Sequence, residues 1–474
     1  MTRSATFAHP LPPLTGRERT ALTVLLTAGF TLAVDFSILT VALPHIGRDV
    51  GIPNGSLQWV STSFALCAAG FTLLFGRISD LIGRRRLFLI GMALLCVSSL
   101  WGGLAGDPVT LLTARVAQGL ATAMVTPAAL ALLTTSFPEG PRRDRALGLN
   151  GALMAAGFTS GAILGGFLTD ALSWLWAFFL NVAIAVAVLC IAPVVLRETR
   201  AAERPRLDLP GALTVTIGLV AIVYGATAAG QDGWASPAVW VSFAAAGVAL
   251  VAFWLIEGRV SEPLITLSLL RRPGVAWGNV AGILAFATET ALVFPLTLYL
   301  QEVLGITPML AGLSFGVLGV GTVLGGLLAP RIIARIDAWK TVAAGFALQG
   351  AMTFPLAFLG RDSSWVVPLL VLTFLGGVAN LIVIVGCVVV STTGIEDARQ
   401  GLATGLVTMS QQVGIALGTP ILAAVIAGAT RPSGRGLLAG IQAAIMLDAL
   451  VCLVVGAAVL LAARRHASVP VSVG

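Results

Sequence analysis

Four ionisable side chains stand inside long apolar stretches of this chain: Asp35, Arg115, Glu289 and Asp448. A charge at the centre of a membrane helix costs about 3 kcal/mol or more, so such residues mark ion paths, proton relays or internal pairs. Asp35 and Arg115 are the types needed for reversible proton chemistry. An arginine beside a carboxyl group favours its charged form, and withdrawing that arginine favours the protonated acid. At a rise of ~1.5 Å per residue, Asp35 lies ~13 Å below Pro44 and Arg115 ~10 Å below Pro108, a similar depth. The spacing predicts a proton site gated by conformation; the competing reading is a permanent structural ion pair. Glu289 lies ~18 Å from Gln301, near the midplane. Proton binding, attraction of a cationic substrate and pairing with Arg115 are all open to it, as is the role of a protonated acid bonded to a neighbour. Asp448 lies in the last apolar stretch and reads as a packing or hydrogen-bonding residue.

Other chemistries lack their residues. The only lysine, Lys340, precedes Thr341, but Ala334 and Trp339 stand where a phosphate-binding loop needs glycine, so no nucleotide site is expected. His9 and His466 are terminal and His45 sits at a membrane edge. Cys67, Cys96, Cys190, Cys387 and Cys452 all fall in apolar windows without a CxxC pair and read as packing residues. We therefore expect no enzyme, no cofactor and no metal.

The elements that position these residues are membrane helices. Apolar residues make up 57% of the 474 and charged residues 10%, with a mean hydropathy of +0.97. That leaves too little charge to cover a water-soluble body. Eleven windows of at least 20 residues hold no Asp, Glu, Lys or Arg. Three more, 20–47, 273–301 and 436–463, are interrupted by one acid each: Asp35, Glu289 and Asp448. A helix needs ~20 residues to cross hydrocarbon, so fourteen spans are expected. An even count puts both termini on one side. Basic residues then divide as 23 on that side, four on the other (Arg48, Arg361, Arg431, Arg435) and Arg115 within. The positive-inside rule makes the terminal side cytoplasmic, so the net charge of +7 needs no nucleic acid to explain it.

The spans group as six, two and six, with divisions at 1–200, 201–272 and 273–474. Shifted by 254 residues, Asp35 falls on Glu289, Gly76-Arg77 on Pro330-Arg331 and Arg86 on Lys340. The reading is a duplicated half, each copy with an acid in its first span and a basic segment after its second.

Several segments resemble one transporter family. After span 2 the chain reads Gly76-Arg77-Ile78-Ser79-Asp80-Leu81-Ile82-Gly83-Arg84-Arg85-Arg86, similar to the G-x-x-x-D-x-x-G-R-R loop signature of the major facilitator superfamily. In span 4, Arg115-Val116-Ala117-Gln118-Gly119 resembles its R-x-x-Q-G motif. Asp35 with Ala42 and Pro44 is similar to the first-span motif of the 14-span drug:proton antiporters. Gly148, Gly157, Gly161, Gly165 and Gly166 match the antiporter glycine motif, with Ala162 at its proline position. Trp174-Leu175-Trp176-Ala177-Phe178 departs from the family's W-R-W-x-F by Leu175.

The resemblance implies an all-α integral membrane fold: two six-helix bundles plus two extra central helices, rocking about a cavity lined by spans 1, 4, 9 and 12. It implies proton coupling through Asp35, Arg115 and Glu289, and conformational gating by a loop carrying Gly76, Asp80, Gly83, Arg84 and Arg85. The activity implied is proton-driven export of amphipathic drugs or antibiotics, cationic ones included, across the cytoplasmic membrane. The partners are the small molecule, protons and the bilayer, with the protein a monomer. The alternatives are a narrow-range exporter of one endogenous metabolite and a proton symporter for uptake. A membrane enzyme or sensor has no catalytic constellation or extramembrane domain behind it.

Overall fold

In hydrocarbon an unpartnered backbone N–H or C=O costs several kcal/mol, so apolar windows fold as helices that bond within themselves. The computed structural model describes residues 15–53, 56–137, 141–199, 208–260, 267–395, 397–430 and 436–467. The arginines Arg431 and Arg435 lie outside the described residues. Fourteen helices among the described residues fit a span in length and composition, one of them bent. They are α1 (Gly16–Val50), α2 (Gln58–Ile82), α3 (Arg84–Gly102), α4 (Pro108–Ser136), α5 (Pro141–Ala171), α6 (Trp176–Val195), α7 (Leu209–Asp232), α8 (Pro237–Glu257), α9 (Pro273–Leu298), α10 (Pro308–Ile336), α11 (Ala338–Thr353), α12 (Val366–Thr392), α13 (Asp397–Thr430) and α14 (Leu437–Ala467). Five begin at a proline, whose missing N–H and fixed φ suit a first helical position. Thr15 and Glu18 close a capping box on α1.

The packing repeats with a shift of eight helices. In the first bundle α1 packs on α5, α2 and α3 on α4, and α6 on α1 and α3. In the second, α9 packs on α13, α10 and α11 on α12, and α14 on α9 and α11. The bundles meet along α5–α10 and α2–α13, and α7 lies against both α2 and α13.

α2 bends by 54° between Thr72 and Leu74. Thr216 of α7 donates its hydroxyl to the Gly70 carbonyl at 2.7 Å. The contact lies within one turn of the bend and ties α2 to α7.

One hydrophobic core joins the bundles on the side away from the termini. It gathers Val34–Val50 of α1, Ala291–Leu298 of α9, Phe315 of α10 and Ile441–Ile445 of α14. There Gln301 also donates to the Val41 carbonyl at 2.7 Å. Towards the terminal side the cores separate. One draws on α1, α3, α4 and α6 (Leu25, Phe88, Val125, Val188), the other on α9, α11, α12 and α14 (Ala285, Phe346, Val383, Val459). Each bundle therefore has a waist, where the shared core gives way to its own.

Candidate functional site

The waist of the first bundle is polar. Asp35 follows Val34 of the shared core and comes three residues after Leu32 of the separate one. Asp35 and Arg115 are fully buried side by side, with Arg115 Nη1 3.3 Å from both carboxylate oxygens. Three further helices complete the network. Asn181 of α6 donates to Asp35 Oδ1 at 2.5 Å. Arg115 Nε donates to the Val60 carbonyl of α2 at 3.0 Å, and its guanidinium lies 4.3 Å from the centre of the Phe64 ring. Gln118 of α4 accepts from Arg115 Nη1 at 2.8 Å and donates to Ser99 of α3 at 2.8 Å and to Asp35 Oδ1 at 3.3 Å. Every member is buried.

The distances rank these contacts. A charge-assisted N–H···O bond usually measures about 2.7–2.9 Å, so the 3.3 Å ion pair is loose. Each charge is held more closely by a neutral group: Asp35 by Asn181, Arg115 by Gln118 and Val60. Each ion also holds a neutral group that the other does not share: Asn181 for Asp35 and the Val60 carbonyl for Arg115. Arg115 Nη2 makes no hydrogen bond among the described residues.

Small residues set these distances. A Cβ on Gly119 would strike the Phe64 carbonyl, so glycine there brings α4 against α2 and Arg115 to Val60. Gly157, Gly161 and Gly165 of α5 meet the carbonyls of Phe30, Val34 and Ile38 in turn, which seats α1 and fixes the depth of Asp35. Gly166 faces Pro308 and Gly312 of α10 in the other bundle. Gly148 lies earlier in α5.

The segment expected to form a loop after span 2 is mostly helical. Gly76 and Asp80 belong to α2, and Arg84 and Arg85 open α3. The turn is Gly83 alone, at φ +113°, a conformation that L side chains rarely adopt. The reason is anchoring. Arg84 N donates to the Thr199 carbonyl at 3.1 Å, Arg85 N to Glu198 at 3.1 Å and Arg85 Nη2 to the Pro193 carbonyl at 2.6 Å. Asp80 pairs with Arg84 at 2.9 Å, one turn on. This cluster joins α2, α3 and the end of α6, apart from the Asp35 network.

The Major Facilitator Superfamily model matches residues 25–419. The chain belongs to the major facilitator superfamily. This transporter is 39% identical over 434 residues to the cephamycin export protein of Amycolatopsis lactamdurans, covering 88% of this chain and 87% of the relative. It is 36% identical over 430 residues to the puromycin resistance protein of Streptomyces alboniger, covering 86% and 82%. Its fold matches the crystal structure of the POT family transporter PepTSo with a TM-score of 0.69 at 14% identity, covering 96% of this chain and 99% of that one. It is a multi-pass membrane transporter and not an enzyme.

In this transporter Glu289 sits at the waist of the second bundle, between Ala285 of the separate core and Ala291 of the shared one. It is half-buried and has no hydrogen-bond or ion-pair partner among the described residues. Arg115 pairs with Asp35, which leaves Glu289 without the arginine considered for it. Four neutral residues escaped a search for charges: Asn181, Ser99 and, in the second bundle, Gln349 and Asn380. A signal existed for Asn181, the one amide in the apolar run Trp176–Val195.

Asn181→Leu tests the network. Removing a hydrogen bond to a buried group costs about 1–3 kcal/mol, so the purified variant should melt at a lower temperature. Val194→Leu, on the outer face of the same helix at 76% exposure, should leave the melting temperature unchanged.

Proposed function

We propose that this transporter exports amphipathic drugs, antibiotics among them, in exchange for protons across the cytoplasmic membrane. Both termini face the cytoplasm, and each chain works as a monomer of two bundles. The observation that carries the reading is the loose, fully buried Asp35–Arg115 pair at the waist. Protonation of Asp35 removes its charge while Asn181 still donates to Oδ1. Arg115 then keeps Val60, Gln118 and the Phe64 ring. A proton thus substitutes for the arginine as partner of the acid, and the difference between the two states biases the rocking of the bundles. The export and resistance relatives support the direction of transport.

A narrow substrate range is the second reading, because those two relatives are each named for a single antibiotic. A panel of unrelated compounds, tested in a host without its own exporters, separates broad from narrow range. Cells loaded with a fluorescent cation test the coupling: a protonophore added while ATP is present should stop efflux, and continued efflux would refute proton exchange.

Glu289 supplies the charge preference in this account. An unpaired carboxyl in a low-dielectric site attracts a cation far more strongly than one in bulk water. Glu289→Gln should therefore reduce export of a cationic compound more than that of a neutral one of similar size, normalised to protein in the membrane. An unchanged ratio rejects the substrate role even if total activity falls.

A further inference from the structure

The second bundle has a polar layer of its own at the waist, and its helices correspond to those of the first. Asn380 of α12 donates to the Ala285 carbonyl of α9 at 3.0 Å and to Gln349 of α11 at 3.4 Å. Gln349 donates to Thr288 of α9 at 3.2 Å. Cys452 of α14 is buried in the same separate core as Ala285. Asp448 lies one turn before Cys452, only 2% exposed, between Ile445 of the shared core and Cys452 of the separate one. Its neighbour Ala449 lies against Gly350, which follows Gln349. The helices first, third, fourth and sixth in each bundle thus supply both layers.

The layers differ in charge. Asp35 has Arg115, whereas Asp448 has no ion-pair partner among the described residues. On the helices packed against α14, Lys340 at the start of α11 is the one charged residue of that helix, α13 has none after Arg399, and α9 has only Glu289. On α14 itself Cys452 is the titratable neighbour, and the arginines Arg464 and Arg465 lie four turns away at its end. Asp448 Oδ2 makes no hydrogen bond among the described residues. A buried carboxylate without a cation or donors is far costlier than the neutral acid. In this layer the proton is the available counter-charge.

We propose that Asp448 is a second proton-carrying acid of this transporter, seated in the polar layer of the second bundle. The inference rests on the proton-exchange reading above. When a cationic substrate reaches the half-buried Glu289, next to Thr288, it brings the positive charge that the layer lacks. The O–H bond of Asp448 then breaks, the proton passes to water and the carboxylate remains. Return of a proton reverses the step when the cation leaves.

The test is proton release by the purified transporter in weakly buffered detergent, followed with a pH-indicator dye on adding tetraphenylphosphonium. Wild type should release protons, and Asp448→Asn one fewer per bound cation. Release from Asp448→Asn equal to wild type overturns the assignment and leaves the Asp35 reading standing. No release from wild type defeats proton exchange itself, and this proposal with it. Asparagine matches the neutral acid in shape, but should the variant fail to accumulate, a lipid-soluble carbodiimide on wild type decides. Labelling of Asp448 that tetraphenylphosphonium suppresses supports the proposal, and labelling that it leaves unchanged overturns it.

Discussion

Asp35→Asn is expected to reduce uphill export to background while the protein stays in the membrane near wild-type abundance. The amide copies the shape of the protonated acid but releases no proton, so the cycle loses its coupling step. The abundance carries as much information as the activity. A buried ion pair that loses one member leaves the other uncompensated, at a cost of about 3–5 kcal/mol. If the Asp35–Arg115 pair were permanent, the variant would incur that cost in every state and be depleted. If the neutral acid is a normal stage of the cycle, Arg115 already tolerates it, held by Val60, Gln118 and Phe64. Immunoblotting of membranes alongside an efflux assay separates the two. Downhill equilibration of substrate should persist in the variant.

Arg115→Ala is expected to be worse than Asp35→Asn in both respects. It strips Asp35 of the one cation paired with it among the described residues, empties the space of a large, fully buried side chain and removes the side-chain donor to the Val60 carbonyl. The penalty for a buried ion left alone is again about 3–5 kcal/mol, and the lost packing adds to it. Arg115→Lys should not restore function. One ammonium cannot reach Val60, Gln118 and Asp35 from a planar fork while stacking on Phe64. The double variant, Asp35→Asn with Arg115→Ala, should be no worse than Arg115→Ala, because the uncompensated acid is gone. Fully additive losses in melting temperature and export would show that the two act separately.

The membrane fold was legible because charge is so scarce in hydrocarbon that each charged residue marks either a boundary or a site. The same scarcity singled out Asp35, Arg115, Glu289 and Asp448. Depth arithmetic brought the first two to one level, and the structure places them in contact. The neutral members of the network were not legible in this way. Asn181, Ser99, Gln349 and Asn380 cost less to bury than a charge, and threonines and serines bonded to their own helices are scattered through the same windows. Contacts to backbone, such as Arg115 with Val60, leave no trace in residue type. The helical run from Gly76 to Ile82 was hidden for another reason. Arg77 and the arginines after Gly83 suggest a solvated loop, but Pro193 of α6 and Glu198 and Thr199 just after it tie down the turn that follows the run. Beside the bend in α2, Gly70 is bonded to Thr216, which belongs to a helix far along the chain.

The central claim is that a proton gradient alone drives this transporter through the Asp35–Arg115 pair. The most direct measurement uses purified protein in sealed lipid vesicles without nucleotide, with an imposed pH gradient and a labelled lipophilic cation outside. Acid-inside vesicles should accumulate the cation above its external concentration and lose their gradient faster than empty ones. Vesicles carrying Asp35→Asn should only equilibrate the cation. Accumulation that survives collapse of the gradient, or that Asp35→Asn performs as well as wild type, would contradict the account.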